Sequence, residues 1–118
     1  MNPPPDAELL RIHLGEQDRL DGRPLYERIV EEARRRGLAG ATVLRGIAGF
    51  GATSRLHTAK ILRLSEDLPL VIEIVDAPEK ITAFLPWLDA AMSGGGLITR
   101  EKIRVHACRS ASEPQAKI

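Results

Sequence analysis

Cysteine is nearly missing from this sequence: Cys108 is the one thiol in 118 residues. A single cysteine can form no internal disulfide and cannot supply the paired thiolates of a structural zinc site. Aromatic residues are almost as scarce. Tyr26, Phe50, Phe84 and Trp87 do not interleave with a basic stripe, so there is no base-stacking platform. Neither sign of charge dominates, with 17 Lys+Arg against 16 Asp+Glu and a formal net charge of +1. A general nucleic-acid binder needs surplus cations to displace condensed counterions, so no nucleic-acid partner is expected. The apolar runs fall far short of the roughly 20 residues a transmembrane helix needs. Met1 to Pro5 is a polar, proline-rich start without the apolar stretch of a signal peptide. A reducing, cytoplasmic setting is the simplest expectation.

What is present belongs to one ordinary globular domain, 43% apolar and 28% charged. Residues 1–7 and 108–118 read as flexible ends around a folded domain over 8–107. Between Glu8 and Leu14, Leu10, Ile12 and Leu14 alternate with Leu9, Arg11 and His13, the period of a strand. Pro24 to Arg36 reads as a helix with Leu25, Ile29, Val30 and Ala33 inward. Gly37 suits its left-handed cap, and Arg34, Arg35 and Arg36 lie at the negative end of its dipole. Ala41 to Arg45 is a short strand, and Leu68 to Val75 is a longer one, apolar on both faces as a central strand would be. Asp76 and Glu79 have the spacing of a capping box for a second helix that buries Ile81, Phe84, Leu85 and Leu88. Pro86 removes a bond to the Thr82 carbonyl, so a kink or an early break is expected there. Gly94 to Gly96 then turn into a last strand, Leu97 to His106.

The order β-α-β-β-α-β is the split βαβ arrangement of a ferredoxin-like α+β fold. It has a four-stranded antiparallel sheet with two helices on one face. The other face carries apolar residues, and an exposed apolar face of that size implies a partner.

One stretch does not suit a plain scaffold. Residues Gly46 to Leu64 join two neighbouring antiparallel strands, where a hairpin needs about two to five residues. Arg45, Gly46, Gly49, Phe50 and Gly51 open the connection, and Arg55, His57, Lys60 and Arg63 follow. Glycines let backbone N–H groups converge on an anion, and arginine offers phosphate a bidentate fork. The same composition fits a flexible loop with a solvated charged rim. It is not a Walker A loop, because no G-K-[ST] follows, and it lacks the spacing of the dinucleotide fingerprint. His57 is expected to hydrogen-bond or order the loop; with only His13 and His106 elsewhere, no metal site is expected. The second cluster, Gly94, Gly95 and Gly96, reads on its own as a turn. Arg100, Lys102, Arg104 and His106 then alternate along the last strand, as a solvated edge or, beside the long loop, a phosphate-facing wall.

Several segments together resemble a known family. They are Leu14-Gly15-Glu16, Pro24-Leu25-Tyr26, Gly37 to Val43, Arg45-Gly46 with Gly49-Phe50-Gly51, His57, and Leu62 to Pro69. From about Leu9 to Val105 the chain is similar to the PII-like proteins long catalogued as a domain of unknown function. The resemblance implies a ferredoxin-like subunit in a homotrimer, with an adenine nucleotide (AMP, ADP, ATP or cyclic AMP) in clefts between subunits. Residues 46–64 look like the T-loop, which orders on ligand and contacts a target protein. The resemblance also implies the site residues. Gly46, Gly49 and Gly51 would wrap the nucleotide, and Arg63, Leu64 and Ser65 would lie near base and ribose. Gly94 to Gly96 would stand where PII has its second glycine loop. Lys102 and Arg104 are expected to add charge on the strand pattern alone, not on the resemblance. The lysine that follows that loop in PII is Leu97 here, and the uridylylated tyrosine of some PII T-loops has no counterpart. Arg55, His57 and Lys60 would face a partner such as a membrane transporter; members of this branch sometimes occur beside, or fused to, fluoride-exporter-like membrane proteins. The expected role is a sensor that catalyses nothing and needs no prosthetic group. The competing roles are a small phosphate-ester hydrolase on the same fold and a trimeric adaptor without ligand.

Overall fold

Two strands with strict alternation define the middle of the sheet. A computed structural model describes residues 2–50 and 67–109. In it β1 (Asp6–Gly15) buries Leu10, Ile12 and Leu14, and β5 (Pro69–Asp76) buries Leu70, Ile72 and Ile74. The two pair antiparallel with Leu14 opposite Leu70 and Ile12 opposite Ile72, so their apolar residues share one face. On the flanks lie β4 (Thr42–Arg45), paired to β5, and β6 (Leu97–Arg104), paired to β1, giving the order β4-β5-β1-β6. This is the ferredoxin-like topology expected, with β5 central as its two apolar faces require. The last strand stops at Arg104 rather than His106: Val105 N–H still donates to the Pro5 carbonyl at 2.8 Å, but Pro5, opposite it in the register, has no N–H to return the bond.

Two helices, α1 (Leu25–Arg35) and α2 (Pro78–Ala91), cover the face that carries Leu10 and Ile72. Leu25, Ile29 and Ala33 of α1 join Ile81, Phe84 and Leu88 of α2 in one core. At the end of α1, Gly37 N–H reaches the Arg34 carbonyl and Leu38 N–H the Ala33 carbonyl, each at 3.0 Å. With Gly37 at φ 79 this is a Schellman motif, the left-handed cap expected. The buried Glu32 holds Arg35 and Arg36 there at 2.5 and 2.6 Å. Hydrogen bonds from Arg35 and then Arg36 keep its carboxyl below the usual carboxylate range.

Two local expectations need correction, and one element is additional. Asp76 does not cap α2: Ala77 occupies the N-cap position, without a side-chain cap, and the capping box with Glu79 does not form. Pro78 at the start of the helix holds Ala77 extended, at ψ 145, which moves the boundary past Asp76. Continuing the alternation of β5, Asp76 points inward and is only 2% exposed. Its Oδ2 accepts Ala39 N–H at 2.8 Å and its Oδ1 accepts Ala77 N–H at 2.7 Å. Pro86 does not end α2, which runs on to Ala91. Thr82 and Pro86 lie on its exposed side, where water can satisfy the Thr82 carbonyl, while Ile81, Phe84 and Leu88 anchor the helix across them. A small hairpin also precedes α1, with β2 (Arg19–Leu20) and β3 (Arg23–Pro24) joined through Asp21 and Gly22 at φ 54 and 78.

Candidate functional site

Strand register brings both glycine clusters to one end of the sheet. Arg45 and Leu14 both pair with Leu70, and His13 pairs with Leu97. The exits of β1 and β4 and the entries of β5 and β6 therefore lie side by side. Gly46 N–H donates to the Pro69 carbonyl at 2.7 Å, and a Cβ on Gly46 would come within 2.8 Å of Pro69 Cγ. The long connection thus leaves the sheet beside the Pro69 backbone. Ile47 and Phe50 follow with 82% and 68% of their surfaces exposed. Gly51, Arg55, His57, Lys60, Arg63, Leu64 and Ser65, expected in the loop and its return, lie outside the described residues.

At the neighbouring turn Gly95 N–H reaches the Met92 carbonyl at 3.0 Å. Gly96 has φ 128, and a Cβ there would meet the Met92 methyl and lie 2.9 Å from the His13 carbonyl oxygen. Only glycine fits. Arg45 is already paired at this end: its guanidinium holds Glu16 with Nη2 at 2.7 Å and Nε at 3.4 Å from its two oxygens.

The cations of β6 do not join this end. Lys102 pairs with Glu8 and Arg104 with Asp6, at the far end of β1, roughly 20 Å away at about 3.3 Å per residue. Nor do they form one continuous wall. Arg100 is bound to Glu8 at 2.7–2.8 Å and to Thr82 Oγ1 at 2.8 Å, fastening β6 to α2. Arg104 and His106 instead line an open cleft of about 660 Å³. Its other walls are the Ala39–Thr42 turn, Glu73 and Val75 of β5, and the segment through Arg109.

Of the cleft residues, Arg104 and His106 belong to the cationic row read from the sequence, whereas Thr42, Glu73, Val75 and Arg109 were not singled out as site residues. The available signal was Glu73, one charge inside the apolar run Leu70 to Val75 of a central strand. Its carboxylate accepts Arg11 Nε at 3.0 Å, while Arg11 Nη1 reaches Glu101 at 3.5 Å. This polar row crosses the helix-free face of the sheet, where Leu44 and Leu97 are 48% and 55% exposed. The cleft can offer cations to an anionic group and a carboxylate to a donor. Among the described residues, no group of three His, Cys, Asp or Glu side chains could hold a metal ion, and no helix is long and apolar enough to cross a membrane.

The architecture is that of PII-like proteins. Residues 7–105 match the family DUF190, described as an uncharacterized ACR, and the chain belongs to it. A UPF0166 protein of Aquifex aeolicus is 43% identical over 98 residues, 83% of this chain and 91% of the relative. Among solved structures, CPII from Thiomonas intermedia K12, bound to ADP and bicarbonate, superposes with a TM-score of 0.64 at 17% identity. That match covers 86% of this chain and 90% of CPII. The GlnK–ATP complex of Bacillus subtilis superposes with a TM-score of 0.52 at 20% identity, over 83% of this chain and 82% of that one.

Proposed function

We propose that this chain is a PII-like cytoplasmic regulator that binds an adenine nucleotide between the subunits of a homotrimer. It catalyses no reaction and signals to a target protein, such as a membrane transporter, through residues 46–64 of a domain spanning 8–107. The observation that carries this reading is the separation of two half-sites. The glycine clusters at 46–51 and 94–96 can supply backbone N–H groups, while the cleft with Arg104 and His106 lies at the other end of the same sheet. One subunit cannot close both around one small ligand. A neighbouring copy, packed against the sheet face that exposes Leu44 and Leu97, can bring its cleft to the glycine end. Arg63, Leu64 and Ser65, at the loop's return, are assigned to the base and ribose. ADP in CPII and ATP in GlnK support an adenine nucleotide as the ligand class.

Calorimetric titration with AMP, ADP, ATP and cyclic AMP tests the reading, with product analysis on the same samples. Binding without turnover is expected. Arg104→Ala should weaken it by about 1.5–3 kcal/mol if its charge-assisted bond to the ligand is desolvated. Turnover would favour a phosphate-ester hydrolase instead, and silence toward all four a ligand-free adaptor.

A further inference from the structure

Arg45, the last residue of β4, stands at the threshold of the glycine segment, yet its charge is already engaged by Glu16. Glu16 is held in place. Its own N–H donates to the Leu68 carbonyl at 2.8 Å, Gly15 N–H is bound by Asp18 at 3.0 Å, and Gln17 N–H by Asp67 at 2.9 Å. The Asp67 and Asp18 carboxylates crowd Gly15, where a Cβ would come within 2.9 and 3.2 Å of them. Arg45 therefore meets an incoming anion in the company of a fixed carboxylate, with two more beside it.

We infer that Glu16 is a specificity-determining residue, which makes the glycine end discriminate among adenine nucleotides by the charge of their phosphate chain. The inference rests on the nucleotide reading above. An anionic ligand that approaches Gly46 competes with Glu16 for the Arg45 fork, and each further phosphate adds repulsion from the same carboxylate. A nucleoside monophosphate meets this opposition least and a triphosphate most. Glu16 side-chain exposure is 26% and that of Arg45 59%, so the effect is modest and sensitive to salt.

The test is calorimetric titration of the wild-type chain, Glu16→Gln and Arg45→Gln with AMP, ADP and ATP. It is run in magnesium-free buffer with chelator, at low and at high ionic strength. Glu16→Gln keeps an oxygen for Arg45 while removing the charge. It is expected to raise the affinity for ATP relative to AMP by between about three- and tenfold at low salt, and by less at high salt. Arg45→Gln leaves Glu16 uncompensated and should move the ratio the other way. Unchanged ratios in both variants, with the wild-type chain still binding, would remove the role of Glu16 and leave the nucleotide reading standing. A fall in affinity for all three nucleotides at constant ratio would also overturn it, showing that Glu16 only orients Arg45. A wild-type chain that binds none of them would bring down both.

Discussion

Replacing Gly96 with alanine places a methyl group where the turn has no room for one. The backbone there has φ 128, and the added Cβ would press on the Met92 methyl and lie 2.9 Å from the His13 carbonyl oxygen. Met92 can swing away, since it is the end of a flexible side chain. His13 cannot, because its backbone sits in the β1–β6 ladder opposite Leu97. Backbone strain of this kind costs about 1–3 kcal/mol, and a forced contact against packed backbone adds a similar amount. After partial relaxation a loss of about 2–4 kcal/mol is expected, against a total stability of about 5–15 kcal/mol for a domain. For a chain of this size that lowers the melting temperature by about 8–15 °C. Gly94→Ala is the control: nothing lies within 4 Å of its Cβ and its φ is ordinary, so its stability should stay within about 0.5 kcal/mol of wild type. Thermal and urea unfolding by circular dichroism, at one chain concentration, measure both variants. A Gly96→Ala protein that melts within 2–3 °C of wild type, roughly the shift of under 1 kcal/mol, would refute the argument from steric crowding.

The buried Asp76 should resist replacement by asparagine, whose single carbonyl oxygen cannot serve both Ala39 and Ala77 N–H. A loss of about 1–3 kcal/mol in urea unfolding is expected, and an unchanged midpoint would count against it. Glu32 has its carboxyl held low by Arg35 and Arg36, so its contribution is present above the unfolded pKa of about 4.3 and fades as pH falls toward the folded value. Wild type should therefore lose more stability than Glu32→Gln in unfolding titrations between neutral pH and about pH 3; parallel curves would contradict this. Arg100→Ala should cost no more than about 1 kcal/mol in stability. It should leave nucleotide affinity unchanged, because Arg100 is bound to Glu8 and Thr82.

The fold was readable wherever one residue pattern had one structural cause. The alternation of Leu10, Ile12 and Leu14 marked a strand, the run Leu68 to Val75, apolar on both faces, marked the central one, and Gly37 marked the end of α1. The β2–β3 hairpin was not foreseen because strands of two residues carry no periodicity; the Asp21-Gly22 pair was its signal. Asp76 misled because its spacing to Glu79 is that of a capping box, whereas Pro78 sets the helix boundary beyond it. The glycine end was visible as composition. The cleft was not, since residues 39–42, 73–75 and 104–109 are individually ordinary and meet only through strand pairing. Alternation along β6 suggested a single cationic row, but it could not show that Glu8 and Thr82 would claim Arg100 and leave Arg104 and His106 to the cleft.

Native mass spectrometry of the full chain, with and without ADP, tests the central claim most directly, because it reads assembly and ligand count together. The account predicts a homotrimer that takes up as many as three ADP molecules, one for each subunit boundary, and that loses them when Arg104 is replaced by alanine. A monomer that binds one ADP would contradict the shared site, and a trimer that takes up no nucleotide would contradict the proposed function.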